Sequence, residues 1–373
     1  MNQVKLGIIG LGNMGSGHCN NILAGLTPEI KLTAAADLRQ SRRDWAKETL
    51  PDDVVLFENG DQLIESGLCD AVIIATPHYE HPRLAILAFE HGLHVMSEKP
   101  AGVYTKQVRE MNEAAIRSDK VFGMMFNQRT NCVYRKMHEM VQSSKYGQIK
   151  RVNWIITDWY RTQAYYNSGG WRATWDGEGG GVLLNQCPHN LDLLQWICGL
   201  PCRVRAFCHN GKWHQIEVED DVTAYLEFPN GATGVFVTTT ADAPGTNRFE
   251  ITLERGKLVA EHDKLTFFEL EQSERDFCFT ATGGFEQPAG HEVTIELDGK
   301  NPQHVGVLNA FAGAILRGEP LVADGTEGIR GLELSNAMHL SSWTDQTVTL
   351  PIDEALFLEK LNEHRKASKV KTE

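Results

Sequence analysis

Over about the first 125 residues, short, largely apolar runs alternate with longer stretches of mixed polarity. Val4 to Ile9, Lys31 to Ala36, Ala71 to Ala75, Leu93 to Met96 and Val121 to Met125 read as strands. Ala71 to Ala75 (AVIIA) has no polar alternation, as expected of a strand covered on both faces. The intervening stretches read as helices. One follows a Gly-rich turn and runs through Ile22 and Leu23, and a second spans Arg39 to Leu50. A third starts at His81-Pro82, with proline suited to its first turn, and a fourth runs from about Thr105 to Ser118. Buried strands alternating with helices predict an α/β fold, a doubly wound parallel sheet.

After a helix near Cys132 to Gln142 the period changes. From Ile149 to about Phe268 the chain is strand-rich. Thr223 to Phe228, the turn Pro229-Asn230-Gly231, and Gly234 to Thr240 form a hairpin pattern with period two. A helix is expected over Gly181 to Ile197, and two more over about Val305 to Leu316 and Gly328 to Ser342. The pattern predicts a second, α+β domain with a large, mostly antiparallel open sheet. The expected division is 1–127 for the first domain and 128–373 for the second. The charged tail after about Lys360, ending Lys369-Val370-Lys371-Thr372-Glu373, is expected to fray.

The formal charge of −13 comes without a basic block, which argues against nucleic acid or an anionic membrane surface as partner. No apolar run reaches the roughly 18 residues a membrane span needs, and the N-terminus reads as a strand rather than a leader, so a cytoplasmic location is expected. The eight scattered cysteines agree with a reducing compartment. Cys198, Cys202, Cys208 and His209 could be drawn as a zinc site. However, Gly199-Leu200-Pro201 fills the first gap and no second close pair follows, so no metal is expected.

Gly10-Leu11-Gly12-Asn13-Met14-Gly15 fits G-x-G-x-x-G with a strand before it and a helix after it. Gly10 permits a tight turn, Gly12 lets the backbone approach a pyrophosphate, and Gly15 allows close helix–strand packing. The phosphates would sit on the helix N-terminus, where N–H groups and the dipole favour anions. Asp37 lies 22 residues past the last glycine, at the end of the second strand. It can bind both ribose hydroxyls and would repel a 2′-phosphate, which favours NAD over NADP, although Arg39, Arg42 and Arg43 stand close. A glycine-bearing turn without ligand is the bland alternative.

Ligands of open α/β sheets bind beyond the carboxyl ends of the strands. Ala75-Thr76-Pro77-His78 and Glu98-Lys99-Pro100 lie there. Lys99 is placed to reach a nicotinamide, its alternative being a solvated surface lysine. Together with the glycine loop and Asp37, these turns and the later Gly179-Gly180-Gly181-Val182-Leu183-Leu184-Asn185-Gln186-Cys187-Pro188-His189-Asn190-Leu191-Asp192 resemble the Gfo/Idh/MocA family. Its members are glucose–fructose oxidoreductase-like and inositol dehydrogenase-like enzymes. The resemblance extends to Val305 to Phe311 and Asp324 to Ser342, and its motifs are specific for the family rather than for a substrate.

The resemblance implies an NAD(P)-dependent oxidation of a secondary alcohol on a sugar, sugar derivative or cyclitol, with a homodimer or homotetramer formed through the open sheet. It makes Lys99 the lysine at the reacting oxygen and His189 the catalytic histidine. Asn185 stands where many members carry aspartate. Trp171 and Arg172 resemble a pair reaching the nicotinamide end. Asn127 and Arg129 lie where the family's interdomain strand meets the cofactor. The expected cofactor contacts are thus Gly10, Gly12, Asn13, Met14, Gly15, Asp37, Arg39, Ala75, Thr76, Pro77, His78, His81, Glu98, Lys99, Asn127, Trp171 and Arg172.

Asn185 and His189 are four apart and share a helical face if the helix is regular, but Pro188 should kink it or mark its start. An amide beside His189 does not favour imidazolium as a carboxylate would, so a neutral general base is expected; the alternative is a core histidine. Asp192 reads as structural. Asp158, Trp159, Tyr160, Arg161, Tyr165 and Tyr166 suit a polyhydroxylated ring, although by strand alternation half must point away. Arg129, Asp158, Tyr160, Tyr165 and Arg172 join Lys99, Asn185 and His189 as expected substrate contacts. Two other readings stay open: an NAD-dependent glycoside hydrolase working by transient C3 oxidation, elimination and re-reduction, and a non-enzymatic NAD-dependent regulator.

Overall fold

The computed structural model describes residues 3–368, so the terminal segment 369–373 of the expected fraying tail lies outside the described residues. The chain divides into two compact units. The first holds residues up to Thr130, Asp176–Gly179 and Pro302–Leu332; the second holds Asn131–Trp175, Gly180–Asn301 and the residues from Glu333 onward.

In the first unit the elements run β1 (Val4–Ile9), α1 (Asn13–Leu23), β2 (Ile30–Ala36), α2 (Gln40–Thr49), β3 (Val55–Phe57), α3 (Gly60–Glu65), β4 (Ala71–Ile74), α4 (Glu80–Glu90), β5 (His94–Ser97), α5 (Thr105–Ser118) and β6 (Phe122–Met124). The strands form a six-stranded sheet in the order β3-β2-β1-β4-β5-β6, every neighbouring pair parallel. The order reverses between β1 and β4, which opens a crevice at their carboxyl ends. Gly10 leaves β1 there with φ 92°, and a Cβ on it would lie 2.5 Å from the Ala75 carbonyl beyond β4. β3 and α3 escape the sequence pattern: β3 is three residues long with Val55 exposed, too short to show a period.

The second unit contains α6 (Cys132–Gln142), β7 (Ile149–Ile156), α7 (Gln163–Tyr166), α8 (Pro188–Cys198), β8 (Arg203–Asn210), β9 (Glu219–Glu227), β10 (Thr233–Thr239), β11 (Asn247–Leu253), β12 (Gly256–Glu261), β13 (Lys264–Leu270), α9 (Glu274–Thr280) and β14 (Gly290–Thr294). Four elements close the chain: α10 (Gln303–Arg317), α11 (Gly328–Thr344), β15 (Val348–Thr349) and α12 (Glu354–Ala367). The nine strands order as β14-β13-β12-β11-β7-β10-β9-β8-β15, antiparallel except for β7 with β10. The predicted hairpin is β9–β10, pairing Tyr225 with Val235. Alternate residues bury one face of the sheet, where Trp154 stacks flat on Phe249 at 4.0 Å between centroids. The other face carries Ile155, Phe207, Tyr225 and Phe268, each at least 40% exposed.

The units differ from the expected division, since residues 128–130, Asp176–Gly179 and Pro302–Leu332 fall in the first. α10 lies with the first unit, not with 128–373: Val307, Leu308, Phe311 and Ala312 join Val4, Leu6 and Ile8 of β1 in one buried cluster. The chain after Lys360 also stays helical to Ala367. The side chain of Asp353 caps α12 by accepting from Ala355 and Leu356 N–H, Phe357 and Leu361 are buried, and His364, Arg365 and Lys366 complement the dipole in the last turn.

Candidate active site

The glycine loop is built by its neighbours. Asp37 is almost fully buried, and its carboxylate accepts from the N–H of Leu11 at 2.8 Å and of Arg39 at 2.9 Å. Arg42 donates to the Leu11 carbonyl at 2.6 Å, and Arg43 to those of Asp37 and Leu38 at 2.7 and 2.8 Å. These two arginines brace the loop rather than stand ready for a 2′-phosphate. A Cβ on Gly15 would fall 1.8 Å from the Gly10 carbonyl, which enforces the close helix–strand approach. A Cβ on Gly12 would meet only the Arg39 guanidinium, 3.9 Å away. Asn13 and Met14 are exposed, and α1 starts with no side-chain cap and no acid in its first turn. Open space over an uncapped helix N-terminus fits a dinucleotide pyrophosphate held by Gly12, Asn13 and Met14.

From Val95 to Val103, Lys99 is the one residue that is not buried. Its neighbours are pinned on both sides. Glu98, 4% exposed, accepts from Nε2 of the buried His18 on α1 at 2.7 Å, and its other oxygen accepts from the Lys99 N–H at 3.2 Å. Burial would raise the Glu98 pKa; the hydrogen bond and charge of His18, helped by Lys99 and His304, bring it down to about 2. On the other side, the ring of His81 spans the carbonyls of Pro100 and Thr76, 2.8 Å from each, tying the two strand-end turns together. Burial lowers the pKa of that ring against the pull of both carbonyls. His78 places Nδ1 3.0 Å from the Glu178 carbonyl. Glu98, His81 and His78, expected at the cofactor, are all buried, and each is hydrogen-bonded where the turns leave the strands.

Two further expectations change. Asn127 donates to the Gln303 side chain, and Arg129, buried, pairs with Glu327 at 2.5 Å. The guanidinium expected at a substrate is thus spent inside the first unit. His18 is the residue sequence reasoning missed here. It lies three residues past Gly15 on α1, a position whose only signal was a polar residue on the inward side of the helix.

In the second unit, Pro188 opens α8 rather than kinking a longer helix. Asn185 and His189 therefore do not share a helical face. Asn185 belongs to the preceding turn, its N–H bonded to the Gly181 carbonyl at 2.9 Å, while Cys187 N–H bonds that of Val182 at 2.8 Å. His189 sits in the first turn of α8. From Glu178 to Gln195, Asn185 and His189 are the two residues that are not buried. Asp192 is buried and accepts from Gln195 at 3.0 Å within the helix.

The chain leaves the sheet after Ile156, so strand alternation does not sort the residues that follow. Tyr166 turns inward, its hydroxyl 2.7 Å from that of Thr240, and Tyr165 turns outward. Arg172 donates to the Tyr165 hydroxyl at 2.7 Å and lies over the rings of Tyr165 and Trp171, 4.4 and 4.7 Å from their centroids. Arg161 covers Tyr165 at 5.1 Å, and Gln186 reaches its hydroxyl at 3.3 Å. Asp158 and Tyr160 are exposed. Among the described residues no helix is long and apolar enough to cross a membrane, and no group of three His, Cys, Asp or Glu is arranged to hold a metal ion.

Residues 4–126 match the profile of the oxidoreductase family with an NAD-binding Rossmann fold, and residues 134–259 that of the GFO/IDH/MocA C-terminal domain. A myo-inositol 2-dehydrogenase of Thermotoga maritima is 23% identical over 353 residues, covering 93% of this chain and 98% of the relative. A D-glucoside 3-dehydrogenase of Escherichia coli is 27% identical over 225 residues, 54% of this chain and 61% of that protein. Among solved structures, the WlbA dehydrogenase of Chromobacterium violaceum, in complex with NADH and UDP-GlcNAcA, superposes with a TM-score of 0.79 at 25% identity, covering 95% of this chain and 97% of that one. With the glycine loop, the Glu98-Lys99-Pro100 turn and the Asn185–His189 segment in place, the chain belongs to the Gfo/Idh/MocA family and is an oxidoreductase with an NAD-binding Rossmann domain.

Proposed function

We propose that the enzyme oxidises a secondary alcohol of a sugar, sugar derivative or cyclitol, with Lys99 and His189 acting at the reacting oxygen. The observation that carries the reading is the exposure pattern. Two otherwise buried segments leave only Lys99 in one and Asn185 with His189 in the other half-buried. Groups that merely served packing would be covered like their neighbours.

The Nδ1 atom of His189 is buried, so Nε2 is the nitrogen that takes the hydroxyl proton. Lys99, as ammonium, stabilises the developing alkoxide. Asn185 is neutral, so it orients the ring or a substrate hydroxyl without drawing His189 toward imidazolium. NAD held at Gly12, Asn13 and Met14 would supply the hydride acceptor, so that the alcohol leaves as a ketone. Trp171, Arg172 and Tyr165, together with the exposed Asp158 and Tyr160, would offer ring faces and polar edges to a polyol. NAD is favoured over NADP because Asp37 is fixed at the end of β2 and Arg42 and Arg43 are occupied. The exposed apolar face of the nine-stranded sheet suits association as a homodimer or homotetramer, and eight free thiols suit the cytoplasm.

The test is incubation with NAD and a panel of inositols, free sugars and glycosides. Steady accumulation of NADH with at least one of them is expected. Release of an aglycone without net NADH would replace this reading with a glycosidase. Tight NADH binding without turnover on any member of the panel would leave a binding protein.

A further inference from the structure

We propose that Glu219, with His339, is a positioning residue for Asn185 and His189. The proposal rests on the reading of His189 as the base. Glu219 opens β9, 0% exposed. Three consecutive N–H groups of the turn before α8 converge on it. Gly181 N–H lies 2.9 Å from both carboxylate oxygens, Leu183 N–H donates to one of them at 3.0 Å, and Val182 N–H donates to the Glu219 main-chain carbonyl at 2.9 Å. A Cβ on Gly181 would stand 1.9 Å from that carbonyl, so the turn is pressed against β9 as closely as glycine permits.

The same turn residues then hand the constraint on. The carbonyl of Gly181 receives the N–H of Asn185 and that of Val182 receives the N–H of Cys187, directly before Pro188 and His189. His339 on α11, 1% exposed, brings Nε2 to 3.0 Å from the carboxylate, off the line of a hydrogen bond but at ion-pair distance. A Cβ on Gly180 would lie 3.3 Å from its Cε1. His339 is itself wedged between Trp343, stacked at 5.3 Å, and Trp175 at 5.6 Å.

Burying an ionised carboxylate is costly unless it is fully bonded, and an apolar residue would fill the same space without that cost. What the carboxylate adds is direction: it fixes two donors of one turn at once, beside the third that the Glu219 main-chain carbonyl holds, and displacement of a reacting group by about 1 Å can cost about 100-fold in rate. The site is 34 residues from Asn185 in sequence and touches neither reacting side chain in this arrangement, hence a positioning role.

The test is Glu219→Gln, which keeps the shape but turns an amide N–H₂ toward donors. We expect kcat to fall about 10- to 100-fold while NADH affinity and the KM for NAD stay within about twofold. Introduced into the Asn185→Ala/His189→Asn double variant and read in single turnover with excess enzyme, Glu219→Gln should cause no further loss, because both groups it positions are gone. Equal losses in both backgrounds, or an unchanged kcat in the folded single variant, would overturn the proposal. Should Glu219→Gln fail to fold, His339→Gln should show a smaller loss of the same kind, and a normal kcat there overturns it equally. His189→Asn alone separates the two failures. Unchanged turnover in that variant removes the base and the positioning role with it, whereas a crippled His189→Asn beside a fully active Glu219→Gln removes the positioning role only.

Discussion

The segments bearing Lys99 and His189 solve the same problem in two ways. Each leaves a polar side chain uncovered in otherwise buried chain, and each has a buried carboxylate next to a buried histidine: Glu98 with His18, Glu219 with His339. The Lys99 turn continues β5, so the parallel sheet already directs it. One adjacent carboxylate and the two carbonyls held by His81 complete the fixing. The Asn185 turn continues no strand and begins in three glycines, the most freely rotating residues. Its restraint comes from far along the chain, through three N–H groups on Glu219. Where a sheet supplies direction a neighbour suffices; where it does not, a remote buried charge takes over.

The comparison breaks most visibly at the reacting groups. Lys99→Ala and His189→Ala should each lower kcat/KM by about 1,000-fold with NADH binding retained, as measured by fluorescence titration. Near-normal turnover in either one would mean that the two segments are not equivalent partners. Next comes Glu98→Gln. Glu98 titrates near 2 in the fold against an ordinary 4.5, so its ionised form stabilises the protein in full above about pH 4.5, and that contribution is lost as pH falls toward 2. The difference corresponds to roughly 3 kcal/mol at neutral pH. Denaturant melts of wild type and variant should therefore differ at pH 7 and converge near pH 2; a gap constant with pH would deny that Glu98 is charged in the folded state.

Gly181→Ala probes the other segment. Its new methyl must push the turn off the Glu219 carbonyl, with about 1–3 kcal/mol lost in the same melts and kcat reduced, whatever the pH. The smallest effect is the control Gly17→Ala on α1, where a Cβ meets nothing within 4 Å. Helix propensity alone should stabilise it by about 0.5–1 kcal/mol, with kinetics unchanged.

Much of this was legible in the sequence because it is local. The glycine loop, Asp37 and the Lys99 turn each follow a strand whose apolar run is unmistakable. Thr105–Ser118 and Cys132–Gln142 form as helices over the very residues their pattern marks. Lys99, Asn185 and His189, which the motifs singled out, are half-buried among buried neighbours. What failed was long-range or too short. Arg129 looks like any ligand-seeking arginine until Glu327, 198 residues later, claims it. Glu219 reads as one of three acids at the foot of a strand, and nothing in Glu219-Asp220-Asp221 announces that the first two are buried and the third is not, or which of them holds the turn before α8. His81 and Glu98 stand beside the cofactor turns in sequence, and adjacency alone does not tell a bracket from a contact. Pro188 left two options for the helix, and only hydrogen bonding to Gly181 and Val182 selects the start.

The return of α10 to the first unit has a consequence for how the protein is made. The apolar flank of β1 and β2 that Val307, Leu308 and Phe311 cover stays bare on the ribosome until translation has passed Arg317, long after the glycine loop has emerged. The nucleotide-binding half is thus spelled first yet finished late, and a fragment ending at Thr130 would carry its cofactor loop on a sheet that lacks the share of apolar cover α10 adds to that of α1 and α2.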